Sequence, residues 1–394
     1  MLGPLGRVTA QPNAVDYSSI AQTWVFEPLV RLDSNAQLVP AMASRIERRP
    51  HGRFHLELRS DRTFSDGTPV TSADIERSLI TNGLRMVRDG DGYLVEPNDQ
   101  RVISEVQLVR TMVFRESGGA VIGSGPFKVV EETPARLRLV RRTPAHGRID
   151  ETVLLAYDTP REAFAHTLKG DANLAYDLLE PGWLEFFDGV PRLRIVRGRG
   201  LQTDSVVFNP RLPRTQRAAL AQALSSKSVR ELAFGDDCTE ARNRASPETP
   251  VPAGPNLNVI TWPAEARFAL AVRRRLGQRG NEIETLPSEE LVSRFRAGRF
   301  DLAPVRVLLW PPSMAALTMK THGPSNFWGY SNAKVDAALD AGDWAAAKAA
   351  LDEDPPAAFV CTRERIAVVD ARIKNPTLGP YDLLETLPDW EVEP

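Results

Sequence analysis

The stretch Phe64–Asp74, FSDGTPVTSAD, packs a turn, a proline and a helix start close together, and its reading decides how the rest of the chain is understood. Ser65-Asp66-Gly67 has turn chemistry: an aspartate side chain bonds the backbone that follows it, and glycine takes a positive φ without steric cost. Pro69 keeps Thr68 extended. Thr71, followed three residues later by Asp74, matches a capping box, which predicts a helix starting near Ser72. Upstream, Phe54, Leu56 and Leu58 alternate with His55, Glu57 and Arg59, the period of a half-buried strand. The stretch therefore joins a strand to a helix through a fixed turn. Turn and cap account for Asp66 and Asp74 without assigning either to chemistry.

The chain has 394 residues, 42% hydrophobic and 25% charged, an ordinary globular composition long enough to divide into at least two units with separate cores. A net charge of -2 offers no basic field for nucleic acid or an anionic membrane. No apolar run approaches the length that crosses a bilayer. The opening residues, MLGPLGRVTAQPNAVDYSSIAQTW, lack the apolar core and small-residue cleavage site of a secretory signal, which leaves a removed signal, a misassigned start or a cytoplasmic protein. Cys238 and Cys361 fit either one disulfide or two buried thiols, and are too few for a cysteine-rich metal site.

Further along, Arg85–Val87 and Tyr93–Val95 flank Gly90–Gly92 as a hairpin, and Val102–Val109 with Met112–Phe114 read as another strand pair. Gly118–Glu132, GGAVIGSGPFKVVEE, combines glycine punctuation with a strand, and Leu137, Leu139 and Val140 lead into the next. Between Asp150 and Glu180 strand, helix and strand alternate (TVLLAY, TPREAFAHTLKG, ANLAYDLL), predicting a partly parallel sheet with helical cover. The second half continues in that style. SVVFNP is a strand, LPRTQRAALAQALSS a helix opening with Pro213, and Asp236–Pro255 a long connection. LNVITW, AEARFALAVRRRLGQRG and NEIETLP follow as strand, helix and strand, with Gly280 as the helix C-cap. SEELVSRFRAGRFDLAPVRVLLW is a helix capped by Ser288 and then a strand. NAKVDAALDAG and DWAAAKAALDED are helices capped by Asn332 and Asp343 and divided by Gly342, and Phe359–Ile373 is strand-like.

The segments WVFEPLVRLDSNAQLVPAMASRIE, GRFHLELRSDRTFSDGTPVTSADIERSL, GSGPFKVVE, VVFNPRLPRTQRAALAQAL and NFWGYSNAKVDAALDAG have a combined meaning. In the same order, they resemble the hallmark segments of the family 5 extracellular solute-binding proteins, the oligopeptide-, dipeptide- and nickel-binding receptors of ABC importers. The resemblance implies an α/β, two-lobed periplasmic-binding-protein-like (type II) fold with a shortened inserted subdomain in the first lobe. It implies a first lobe of residues 1–30, 123–203 and 366–394, an inserted subdomain of residues 31–122, and a second lobe of residues 204–365. It also implies a monomeric receptor without cofactor or catalytic activity. Such a receptor captures a peptide-like or other small solute in an interlobe cleft and delivers it to an ABC permease, in the periplasm or outside the cell. A cytoplasmic ligand sensor on the same fold is the alternative.

Ligand contacts are expected from loops after strands, where a few polar groups converge on an aromatic lining. In the first lobe these are Tyr17, Trp24 and Ser124; in the second they are Asn209, Arg306, Trp310, Ser313, Met314, Asn326, Phe327 and Trp328. Peptide-binding members of the family carry an acidic segment after the strand that resembles Asp301–Trp310, where a carboxylate meets the ligand's α-amino group. This chain has LLWPPSMAAL there, so the ligand is expected not to be an ordinary peptide held by its N-terminus. Arg306 would meet an anionic group if it points into the cleft, although strand alternation equally allows an exposed face. His51 and His55 are spaced for a helix but lie in a strand pattern, and no cysteine accompanies any histidine, so no metal site is expected. GSGPF lacks the nucleophile elbow, and no Walker-type lysine follows a glycine-rich loop.

Overall fold

The computed structural model describes residues 5, 8–10, 20–33, 37–49, 53–98, 105–117, 120–176, 182–198, 200, 202–235, 238–240, 248–277, 280–309, 312–323, 325–379 and 384–393. They form two compact units, Met1–Arg199 with Arg365–Pro394, and Gly200–Glu364. Among the described residues no helix is long and apolar enough to cross a membrane.

In the first unit the helix of the FSDGTPVTSAD stretch runs Ser72–Ile80, and Thr71 donates its N–H and its hydroxyl to Asp74 Oδ2 at 2.9 and 2.5 Å. Asp66 Oδ1 accepts from Thr68 N at 2.9 Å, and Gly67 has φ 85°. Two arginines from later in the chain complete this arrangement. Arg115, on the strand Phe114–Ser117, forks onto Asp74 with Nε to Oδ1 at 2.9 Å and Nη2 to Oδ2 at 2.6 Å. It also donates to Thr68 Oγ1 and lies 4.5 Å above the Phe64 ring. Burial by itself would raise the Asp74 pKa, but the bonds from Arg115 and Thr71 outweigh it and bring the group down to about 2.

Arg142 ties the same stretch to the Gly123–Gly125 turn. Its guanidinium donates to the carbonyls of Thr63, Phe64, Ser124 and Gly125 and to Thr63 Oγ1, at 2.6 to 3.2 Å. The turn lies so close to Trp24 and Val25 that side chains are excluded: a Cβ on Gly123 would sit 2.0 Å from Val25 O, and one on Gly125 2.4 Å from Trp24 O. Trp24, Phe26, Phe127, Leu137, Leu139, Val369 and Trp390 belong to the buried core of this unit.

The hairpin expected after the first helix pairs Leu84–Asp89 with Gly92–Pro97, inside a four-stranded antiparallel sheet that also holds Ala43–Arg49 and Arg53–Leu58. The strand expected over 102–109 is corrected: Glu105–Val109 is a short helix, and residues 102–104 lie outside the described residues. Val106 and Val109 are three apart, a spacing that suits a helix, and Thr111 Oγ1 bonds back to Gln107 O at 2.7 Å. The parallel sheet expected from 150–180 is also corrected. Glu151–Leu155 closes an antiparallel meander with Arg136–Arg141 and Phe127–Glu132, whereas Leu174–Tyr176 pairs antiparallel with Arg365–Asp370, which takes Leu193–Gly198 on its other side. A partner from the far end of the chain decides that pairing, and local alternation carries no record of it.

The second unit is built on a six-stranded sheet in the order Cys238–Glu240, Ala357–Arg363, Gln202–Phe208, Leu302–Leu308, Leu257–Thr261, Gly280–Thr285. Here strand and helix alternation does give parallel pairs, Leu257–Thr261 lying parallel to Gly280–Thr285 and to Leu302–Leu308. Both faces are covered, so the central strands read as apolar runs. Val206 and Phe208 pack with residues of helices Arg214–Leu224, Lys227–Phe234 and Ala266–Leu276. Val207, one residue out of phase, packs with Ser288–Arg296, Ala333–Ala341 and Trp344–Glu353. Asn332 and Asp343 cap their helices as expected. Three details differ from expectation. The helix Ala266–Leu276 ends on Gly277 at φ 60°, and Gly280 begins the next strand. Pro287, not Ser288, occupies the N-cap of the following helix. The long connection after Asp236 holds an edge strand, Cys238–Glu240, and Cys238 is bonded to Cys361 with the Cα atoms 5.5 Å apart.

Replacing Asp74 by asparagine is expected to lower stability at neutral pH by about 2 kcal/mol, measured by urea unfolding. Because the folded pKa lies below the ordinary 3.8, the wild-type advantage is complete above that value and vanishes as pH falls toward about 2. A deficit unchanged at the acid end would place its origin elsewhere. Reducing the Cys238–Cys361 bond, or replacing Cys361 by alanine, is expected to lower stability by about 2–4 kcal/mol. Mass spectrometry of the alkylated, non-reduced protein that found two free thiols would contradict this.

Candidate functional site

Strand direction singles out one edge of the second unit's sheet. Leu302–Leu308, Leu257–Thr261 and Gly280–Thr285 run the same way, and Ala357–Arg363 shares that direction because it and Leu302–Leu308 are both antiparallel to Gln202–Phe208. Four strands therefore end on this edge and Gln202–Phe208 begins there. In open α/β sheets the carboxyl edge is where loops can cradle a ligand.

A buried charge network occupies that edge. The Asp204 side chain is 2% exposed and receives the Arg363 fork, Nε to Oδ2 at 2.8 Å and Nη2 to Oδ1 at 2.7 Å. Arg363 lies 4.8 Å over the Phe234 ring and reaches Glu265 Oε2 at 3.9 Å. Glu265, in the turn after Leu257–Thr261, is buried and stands 2.8 Å from Arg306 Nε through Oε1. Arg306 lies directly across from Asp204 in the strand register. Two cations and two anions balance, the arrangement that makes buried charge tolerable. Beside them Thr203 and Thr362 share a hydroxyl bond of 3.1 Å. Asp204, Glu265 and Arg363 were missed at the sequence level; the available signal was a single charge inside each of the apolar strands QTDSVVF and AAFVCTR.

Of the residues expected to touch a ligand, Arg306 belongs to this edge, neither free nor on an open face but ion-paired to Glu265. Asn209 does not belong to it. Its amide donates to Gly298 O at 3.0 Å and Phe300 O at 2.6 Å, and its N–H bonds Asp301 O, at the amino end of Leu302–Leu308. It lies five positions beyond Asp204 along the chain, about 17 Å. Asn326 braces its own loop, with Nδ2 donating to Lys320 O and Tyr330 O at 2.9 and 2.7 Å. Trp328 is buried against Phe295, with no partner for Nε1 among the described residues, and Phe327 lies under the Arg296 guanidinium. Ser313 and Met314 fall on the helix Pro312–Met319 that follows the strand. Tyr17 and Trp310 lie outside the described residues.

In the first unit Trp24 is a core residue whose indole donates to Leu384 O at 2.8 Å. Ser124 is buried in the glycine turn, and its hydroxyl has no partner among the described residues. No cluster of histidine, cysteine or carboxylate suited to a metal ion occurs among the described residues.

No protein-family model matches the sequence, and neither does any curated protein. Solved structures do match. The binding protein AgaA from A. tumefaciens R10, in complex with agropinic acid, superposes with a TM-score of 0.79 at 15% identity, over 100% of this chain and 97% of that one. NikA from Staphylococcus aureus in complex with Ni(L-His)2 gives 0.77 at 11% identity, over 100% and 98%. The oligopeptide-binding protein AppA from Bacillus subtilis, with a nonapeptide, gives 0.75 at 14% identity, over 100% and 98%. At such identities likeness establishes architecture, and the chain has the α/β, two-lobed, periplasmic-binding-protein-like fold of these binding proteins.

Proposed function

We propose that the protein is the solute-binding receptor of an ABC importer, a monomer without catalytic activity that captures a small ligand and delivers it to the permease. The full-length likeness to binding proteins for agropinic acid, a nickel–histidine complex and a nonapeptide carries this reading. One fold serving such different ligands does not identify the solute. The bonded Cys238 and Cys361 support a location outside the cytoplasmic membrane and weigh against the cytoplasmic sensor.

For ligand contacts we favour Ser124, Arg306 and Phe327, together with Tyr17, Trp310, Ser313 and Met314. Trp24, Asn209, Asn326 and Trp328 serve the packing of their own units. Asp204 and Glu265 supply carboxylates at the sheet edge, but arginines already hold both. A peptide α-amino group would have to compete for them, and an anionic group would have to compete for the arginines in turn, which supports a solute with a neutral polar head.

Native mass spectrometry of gently purified protein is expected to show one retained small molecule, released on denaturation. Arg306→Lys, which keeps a positive charge beside the buried Glu265 but removes the guanidinium fork, is expected to weaken retention of that adduct with its unfolding temperature nearly kept, and calorimetry with unmodified di- and tripeptides to show no tight binding. Tight peptide binding would overturn the ligand class. Conversion of the retained compound to a new product would overturn the receptor reading.

A further inference from the structure

The second unit carries a surface feature unrelated to its carboxyl edge. Helices Lys227–Phe234 and Ala266–Leu276 border a recess of about 590 Å³ lined by Leu232, Arg267, Leu270, Arg273 and Arg274. Leu270 is 57% exposed and Leu232 42%. The fold does not need them there: Ala266–Leu276 already buries Phe268, Ala269, Ala271, Val272 and Leu276 on its inner face. Arg267 Nε donates to Leu232 O, which joins the two helices at the recess.

The charged residues that line the recess are all arginines. Arg267, Arg273 and Arg274 are exposed, and none forms an ion pair among the described residues. The neighbouring acid, Glu231, is taken by Lys227 at 3.2 Å, and Arg275 turns away to Glu248 at 3.3 Å. An apolar centre ringed by cations without an ion-pair partner among the described residues is the anatomy of a recognition surface. Its concavity suits a protruding side chain better than a flat bilayer, into which two leucines insert weakly. A second copy meeting the same face about a two-fold axis would bring two arginine clusters together.

We propose that this face docks an acidic segment of a partner protein, seating one apolar side chain between Leu232 and Leu270 and placing carboxylates on Arg267, Arg273 and Arg274. The proposal stands apart from the transport reading and from the solute.

The probe is a short fluorescent peptide of aspartate and glutamate around a central leucine, titrated into the full chain and followed by anisotropy. Saturable binding is expected, weakening as salt rises. The double variant Arg267→Glu, Arg274→Glu is expected to reduce affinity by about tenfold or more. Leu270→Ser is expected to reduce it several-fold, with circular dichroism and unfolding temperature unchanged. Absence of saturable binding would overturn the proposal, as would equal binding of a control peptide with lysine for each acid, or binding indifferent to Leu270→Ser. Preferential binding to phosphatidylglycerol vesicles would assign the face to a membrane instead, and a concentration-dependent dimer dispersed by Leu270→Ser would assign it to a second copy.

Discussion

Asp204 is a carboxylate almost wholly withdrawn from water at the start of a central strand, and the second unit is arranged around keeping it paired. Burying a lone carboxylate costs several kcal/mol, on the order of a whole domain's margin of stability. The Arg363 fork offsets that cost only if Ala357–Arg363 lies beside Gln202–Phe208 in one register. Slipping the strand by one residue would turn Asp204 to the opposite face and Val207 onto this one, exchanging an ion pair for a buried lone charge. The same register sets Asp204 across from Arg306 on one side and from Cys361 on the other. Placement of the second arginine, and of the cysteine that reaches the edge strand, follows from one pairing.

The first unit uses the same device at a helix start. A capping box is worth about a kcal/mol in isolation and can form on a free helix. Here the capping carboxylate also receives the Arg115 fork, so the cap cannot form fully until Phe114–Ser117 has arrived. Arg142 does the equivalent for backbone, gathering carbonyls from Thr63–Phe64 and Ser124–Gly125 onto one guanidinium. In both cases a local motif supplies the acceptors and a distant arginine decides where the motif sits.

That division explains what the sequence revealed. The helix at Ser72, the hairpin around Gly90 and the helices divided by Gly342 were legible because their caps, turns and periods lie within a few residues. Glu105–Val109 was not, because a short apolar run satisfies two periods at once. The partners of Asp74 and Asp204 were hidden by distance, 41 and 159 residues along the chain. Asn209 lies at the other edge of the sheet for a subtler reason. Favouring loops after strands assumes that strands share a direction, but Gln202–Phe208 is antiparallel to both neighbours, so its following loop opens on the amino edge. Direction, unlike periodicity, is a property of the assembled sheet.

The two charged faces of the second unit should therefore attract by different physics. At the carboxyl edge two arginines face two carboxylates, so that edge presents little net field and hydrogen-bonding groups whose geometry is fixed in advance. Around Leu232 and Leu270 the arginines Arg267, Arg273 and Arg274 form no ion pair among the described residues, and attraction reaches outward over roughly 8–10 Å at moderate salt. The first arrangement selects by shape after contact; the second selects by sign before it. A neutral, pre-paired edge and a cationic rim would, on the two readings proposed above, discriminate a small molecule by fit and a macromolecule by charge, with neither requirement compromising the other.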